Sequence, residues 1–226
     1  IPERKIIMNN GKIEDIFTPP RLEAMRLIEE MMVSANVCAA ETLEKHNTPL
    51  IYRVHNIPSE EKVYALAGFV KPLGVVIDLG QPMIPRLFNR LLDGARETDY
   101  EFMVQEAVLR TQSQAVYDPE NIGHFGLNLS RYAHFTSPIR RYADLIVHRA
   151  LIRALKFGND GLPDNQIESL DETAVHISAT ERRAMHAERS AKERYLSAFM
   201  SARIGDEFAG HITGVTKSCL LYTSDA

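Results

Sequence analysis

The run HFTSPIRRYADLIVH, residues 134–148, holds the residue types and spacing in this chain that could do chemistry. Pro138 suits the first turn of a helix, where its missing N–H has no partner to lose. Thr136 or Ser137 before it can act as N-cap. The helix so begun presents Arg140 and Arg141 at the positive end of its own dipole, where an anion rather than a cation is favoured. Two arginines there make sense if the anion comes from elsewhere, and a phosphate is the obvious candidate. A guanidinium fork grips two phosphate oxygens at once. His148 stands four residues after Asp144 on the same helix face, so the two are set to pair. The residues alone leave a second account open, an ordinary capped helix with two solvated arginines.

The elements that must position this run are mostly helical. RLEAMRLIEEMMVSANVCAAETLEKH, residues 21–46, repeats apolar positions at helical spacing through Leu22, Met25, Ile28, Met32, Ala35, Ala39 and Leu43. Ahead of it, KIIMNNGKIEDIF turns at Asn9-Asn10-Gly11 and reads as a β-hairpin. TPLIYRVH is short and β-rich. A helix starts at Pro58-Ser59-Glu60-Glu61, with acids in its first turn, and runs to about Gly74. Two more helices are expected around residues 85–96 and 99–114. Phe125, Leu127 and Leu129 alternate, which predicts a strand leading into the arginine motif. The motif's helix covers about residues 138–156, FGNDGLPDN is a turn-rich loop, and a long helix spans about residues 166–203. From Gly205 the pattern changes to Phe208, Ile212 and Val215 among glycines, the first strand or two of a small β-barrel. The fold class expected is α+β, with a mostly helical body over residues 1–203 and a truncated barrel start over residues 204–226.

Composition narrows the classes. The net charge is −4, so bulk charge does not announce a nucleic-acid partner and any such site is a local cleft. Apolar residues make up 45% of the 226, enough for a packed core. Cys38 and Cys219 form neither a disulfide framework nor a metal spacing, and Cys38, among apolar helical residues, is expected as a buried reduced thiol in a cytoplasmic protein. No apolar run is long enough for a membrane span, and no signal peptide is visible. The chain opens Ile-Pro without an initiator Met, so it is expected to be a fragment. Arg182, Arg183, Arg189, Lys192 and Arg194 interleave with Glu181, Glu188 and Glu193, which predicts a solvated face with i,i+4 pairs. His176 and His186 lack a third ligand for a metal site. Met25, Met31 and Met32 are expected as core filler. GHFG lacks the lysine and spacing of a phosphate loop.

NIGHFGLNLSRYAHFTSPIRRYADLIVHRAL resembles the signature of the ribonuclease II / ribonuclease R family of exoribonucleases, nearest to its ribonuclease R branch. RLIEEMMVSANVCAAETLEKH, PLIYRVH, QAVYDPENIGHFGL and ERRAMHAERSAKERYLSAFM resemble family segments in the family's order, over residues 1–203. The resemblance implies the C-terminal half of an RNB catalytic domain followed by the start of an S1 RNA-binding barrel. It implies processive 3′-to-5′ hydrolysis of single-stranded RNA to nucleoside 5′-monophosphates in the cytoplasm, with no membrane partner and a monomeric complete enzyme. By motif match, Arg140 is the arginine that contacts the scissile phosphate and stabilises transition-state charge. Glu30, with Glu29 as the alternative, accepts from the sugar hydroxyls of the 3′-terminal nucleotide. Tyr52, Arg53 and His55 line the RNA channel, and His134, Thr136, Ser137 and Arg141 contact the RNA backbone. For Glu29 and Glu30 a solvated helix face stays open, and for YRVH a strand with Tyr52 and Val54 packed inside.

The chain departs from the family in its acids. The family's close-set aspartates hold Mg²⁺ ions that activate water and stabilise the leaving oxygen. Here Asp78, Asp93, Asp99, Asp118 and Asp144 are scattered, and Asp160 and Asp164 sit in the turn-rich loop. No metal ligand is therefore expected in this chain, nor nuclease activity from it alone. A non-catalytic RNA-binding homologue is the alternative. The ending CLLYTSDA also departs from the family's glycine and aromatic-rich strand, and the 22 residues from Gly205 are too few for a five-stranded barrel, so an irregular tail is expected.

Overall fold

The computed structural model describes residues 5–9, 12–77, 80, 83–201, 203–207, 210–215 and 220–224, and the side chains of these except Lys12 and those beyond residue 207. Asp78 and Cys219 fall outside the described residues, as do Asn10 and Gly11 of the expected turn, while its Asn9 ends the first strand. The chain divides into two units, Ile1–Arg21 with Arg183–Ala226, and Leu22–Arg182.

The smaller unit holds two hairpins. β1 (Lys5–Asn9) and β2 (Lys12–Phe17) pair antiparallel across the expected turn, with a register shift between Ile7 and Met8. β5 (Gly210–Val215) pairs with β6 (Leu220–Ser224), where an irregular tail was expected, because alternating backbone groups over five or six residues satisfy each other. Two strands do not close a barrel, and no larger sheet includes them among the described residues.

The larger unit carries the core in two clusters. The first joins the C-terminal half of α1 (Glu23–Lys45), β3 (Tyr52–Val54), β4 (Val116–Asp118) and α5 (Tyr142–Leu155). α1 buries Asn36, Ala39, Ala40 and Leu43, one stripe at i, i+3, i+4 and i+7. α5 answers with Ala143, Ile146, Val147 and Ala150. The small alanines on both helices permit close approach, and Leu43, Ile51 and Val54 fill the space between. The second cluster packs α2 (Glu60–Val70), α3 (Pro85–Ala95) and α4 (Glu101–Thr111) through Leu66, Val70, Phe88, Leu91, Val104 and Val108. α2 runs into a 3₁₀ turn, Lys71–Leu73, that closes on Gly74, and α3 begins with Pro85 at its first position. α6 (Asp164–Glu168) precedes α7 (Leu170–Ser201), with Ser169 breaking the long helix expected from residue 166.

Further expectations are corrected. Phe125, Leu127 and Leu129 do not form a strand. Phe125–Leu127 is a 3₁₀ turn, and alternation there comes from a loop folding back on His124 through bridges to His55 and Leu129. The helix of the arginine motif starts at Tyr142 rather than Pro138, so Arg140 lies in a turn and Arg141 is the N-cap, in extended conformation. Cys38 is exposed. Met25, Met31 and Met32 are exposed too, at 51%, 60% and 41%, with Leu22, Leu27 and Ile28 beside them, so the N-terminal half of α1 turns its apolar residues outward. On α7 the expected surface pairs form, Arg189 with Glu193 at 2.9 Å and Lys192 with Glu188 at 2.8 Å.

Candidate active site

The arginine motif is held by side chains from the core beneath it. Asn36, buried on α1, donates from Nδ2 to the Tyr132 hydroxyl at 2.9 Å and accepts at Oδ1 from the Phe135 N–H at 2.8 Å. The carbonyl of Phe135 bonds His148 Nε2 at 2.8 Å, and the two rings stack at 4.3 Å. His148 is thereby turned to Phe135, and the expected Asp144–His148 pair is replaced by another. Asp144, fully buried in the first turn of α5, accepts at Oδ1 from the Ser137 N–H and from Arg141 Nη2, both at 2.7 Å. A carboxylate at the positive end of a helix is stabilised there. The Ser137 carbonyl accepts from the backbone N–H of Arg140 and of Arg141. Those two N–H groups are therefore not free for an anion, and Ser137 enters through its backbone rather than as a side-chain cap.

A wall of rings backs this loop. His55 and His124 stack at 5.1 Å, His124 meets Tyr132 edge-on at 5.4 Å, and Tyr132 and Tyr117 each meet His134 edge-on at 5.6 Å. Tyr117 Oη bonds His134 Nδ1 at 2.9 Å. The Arg53 guanidinium lies 4.6 Å from the centre of the Tyr117 ring and is tied by Glu181 of α7 at 2.7 Å. Burial, with Arg141, Arg53, His124 and Arg140 adding like charge, pushes the His134 pKa down to about 3. Burial and the neighbouring His55 and Arg53 push His124 down to about 4. Burial pushes Tyr117 up to about 12. At neutral pH His134, His124 and Tyr117 are uncharged, and Arg53, Arg140 and Arg141 supply positive charge near them.

His55 is anchored within the fold and also lines the groove on this side. Its Nε2 bonds the Ser113 carbonyl at 2.6 Å and its Nδ1 accepts from the Gly126 N–H at 2.8 Å, so both ring nitrogens are used inside the fold. Gly126 permits this, since a Cβ there would stand 3.1 Å from that nitrogen. Gly123, at φ +77°, turns the chain so that its carbonyl meets the His55 N–H. Tyr52 is buried with its hydroxyl on Glu44 at 3.1 Å, and burial with that bond raises its pKa. Glu44 also accepts from Asn121 and Arg131. An open groove of roughly 550 Å³ runs along this side, lined by Asn56, Ile57, Asn121, His124, Asn128 and Ser130 among others.

Of the residues singled out in the sequence, the structure brings Arg53, His55, His134, Ser137 and Arg141 into this one network. Thr136 is half-buried in the same loop. Arg140 is exposed at the turn and has no ion-pair partner among the described residues. It is close enough to His134 to lower that ring's pKa. Glu30 is exposed on α1, six residues before Asn36 and so roughly 9 Å along the helix axis. Asn36, Tyr117, His124 and Tyr132 were not singled out in the sequence, and Glu181, expected on a solvated face, instead pairs with Arg53. An asparagine standing in an apolar helical stripe was the available signal for Asn36, because a buried amide needs partners. Among the described residues no group of three or more His, Cys, Asp or Glu side chains is placed to hold a metal. The donor set does not fit a Mg²⁺ centre, and no step is drawn through one.

Residues 1–156 match the RNB domain family. Ribonuclease R of Aquifex aeolicus is 40% identical over 216 residues, covering 95% of this chain and 30% of the relative. Ribonuclease R of Escherichia coli K12 is 39% identical over 223 residues, covering 95% and 27%. Mycoplasma genitalium RNase R, solved in complex with ribose-methylated single-stranded RNA, superposes with a TM-score of 0.90 at 29% identity, over 100% of this chain and 36% of that one. Yeast Ssd1, a pseudonuclease, superposes at 0.58 with 25% identity, over 70% of this chain and 20% of that one. The chain spans about 30% of the length of the curated relatives it matches. No helix among the described residues is long and apolar enough to cross a membrane. With the domain family matched across residues 1–156 of 226, and the motif that carries the resemblance folded as one network, the chain belongs to the RNB domain family.

Proposed function

We propose that this chain is part of a processive 3′-to-5′ exoribonuclease that hydrolyses single-stranded RNA to nucleoside 5′-monophosphates. The observation that carries the reading is an exposed Arg140, without an ion-pair partner among the described residues, beside the neutral His134 ring on a loop gripped from below. A guanidinium so placed binds phosphate and opposes the charge that builds on its oxygens during hydrolysis. Asp144 takes up the charge of Arg141, so Arg140 is the arginine left for substrate, and Arg141 reaches RNA only with its remaining donors. His134, Thr136 and Ser137 contact the RNA backbone, and Tyr52, Arg53 and His55 line the channel. Glu30 accepts from ribose hydroxyls, which distinguish RNA from DNA. In this reading residues 1–203 are part of the catalytic domain and residues 204–226 begin an S1 barrel. The Mg²⁺ expected for the whole family member would find its ligands outside the described residues and would there supply water activation, so the segment alone is inactive. The enzyme works as a cytoplasmic monomer.

A second reading is a non-catalytic RNA-binding homologue. The lack of a metal-ligand group among the described residues favours it, and one relative in fold is a pseudonuclease. One experiment separates the two. The open reading frame that encodes this segment is expressed whole and given 5′-labelled single-stranded RNA with Mg²⁺. Wild type releases mononucleotides. Arg140→Ala slows turnover about 100-fold or more while Kd stays within about threefold. Equal turnover removes the role from Arg140, and binding without degradation by wild type selects the second reading.

A further inference from the structure

Asp144 is a fully buried carboxylate, and the mechanism above assigns it no contact with substrate. Burying an ion costs several kcal/mol, and a buried ion pair is often no more stabilising than well-packed apolar residues. Geometry accounts for a buried carboxylate at this position better than stability does. The contacts show which geometry. Asp144 Oδ1 receives the Ser137 N–H and Arg141 Nη2, both at 2.7 Å, so one oxygen ties together the first and last residues of the turn 137–141. Inside that turn the Ser137 carbonyl accepts from Arg140 and Arg141. What projects from it is Ile139, wholly exposed, and Arg140. Asp144 Oδ2 and Arg141 Nε are both buried and unbonded among the described residues. The fork thus makes one of its two possible parallel bonds, a cost that stability alone does not explain. The pair also neutralises Arg141, which sets the two neighbouring arginines to different tasks.

We infer that Asp144 is a positioning residue, whose buried carboxylate clamps Ser137 and Arg141 so that the turn between them presents Arg140 to a phosphate of the RNA. The inference rests on the exoribonuclease reading. The clamp acts on the placement of Arg140 and touches no substrate atom. Displacement of a phosphate-binding group by about 1 Å costs on the order of 100-fold in rate, so the clamp bears on kcat more than on KM.

The test is a double-mutant cycle in the whole expressed protein, with mononucleotide release from single-stranded RNA as the readout. Asp144→Asn keeps the acceptor for the Ser137 N–H but removes the charge that holds Arg141. It is expected to lower kcat roughly 10- to 100-fold with KM within about threefold. In the Arg140→Ala background the same change is expected to cost almost nothing, since there is no arginine left to misplace. A general folding defect behaves otherwise, multiplying onto Arg140→Ala in full, and that result overturns the inference. Unchanged kcat in Asp144→Asn also overturns it. Should Asp144→Asn fail to fold, Arg141→Lys opens the clamp from its other side and is put through the same cycle with the same expectation. A wild type that releases no mononucleotide overturns the exoribonuclease reading and this inference with it. A wild type that degrades RNA while the cycle is additive overturns this inference alone.

Discussion

The two halves of α1 share a residue style and meet opposite surroundings. In the C-terminal half, Ala39, Ala40 and Leu43 are buried and Asn36 holds the arginine loop. In the N-terminal half, Leu22, Met25, Leu27, Ile28, Met31 and Met32 are all exposed. Helical periodicity announces that a face is apolar, but a partner decides whether it is buried. Only one half of this helix has its partner among the residues described. The functional loop is built on that half, so the site inherits its rigidity from α1, α5 and β4 together.

The largest break in that contrast comes from Asn36→Ala. It removes both bonds that join α1 to the loop and leaves the Phe135 N–H and the Tyr132 hydroxyl without their partner. Two buried polar groups so treated cost about 3 kcal/mol, which in a chain of this size lowers Tm by roughly 6–12 °C. Thermal melting of the variant checks it. A Tm within about 2 °C of wild type would mean the loop stands without α1.

Acid sharpens the same contrast with a smaller effect. An unfolded histidine takes a proton near pH 6.5, while folded His134 and His124 resist to about 3 and 4. Below about 6.5 the unfolded chain therefore binds protons that the folded chain does not, and stability falls as pH falls through that window. After screening of these part-exposed rings the loss is about 1–2 kcal/mol from about pH 7.5 to about pH 5. His134→Asn keeps an acceptor for Tyr117 and cannot take that proton, so its Tm should depend on pH less steeply. Equal slopes in variant and wild type would place the acid sensitivity elsewhere.

Much of the larger unit was legible in order and type. α1, α2, α3 and α4 follow their apolar spacing and their Gly and Pro punctuation, and β3 falls in the short β-rich run TPLIYRVH, whereas β4 was not expected. What failed was local chemistry overridden at long range. Ser137-Pro138 has the composition of a helix start, yet Asp144 reaches back to the Ser137 N–H and delays the helix to Tyr142. Phe125, Leu127 and Leu129 alternate as a strand does, but the hydrogen bond from Gly126 to His55 bends them into a turn. The site itself is joined by bonds such as Asn36–Phe135 across 99 residues and Arg53–Glu181 across 128. No motif spacing encodes contacts that distant. The arginine pair was visible in the sequence, while the division of labour between Arg140 and Arg141 needed the buried carboxylate to be located.

The smallest effect belongs to the exposed half of α1, and it tests the contrast from the other side. Met31 is 60% exposed, so Met31→Ser removes little apolar contact from the folded chain. Its helix propensity cost is a few tenths of a kcal/mol, and the whole change should stay within about 0.5 kcal/mol. A methionine in a core would cost about 2–5 kcal/mol on truncation, so the two accounts of this face differ several-fold. Denaturation of Met31→Ser against wild type, both at low concentration, reads the difference directly. A loss above about 2 kcal/mol would show that Met31 is covered in solution. Repeating the measurement at higher concentration then shows whether a second copy of the chain supplies the cover, because stability gained by association rises with protein concentration.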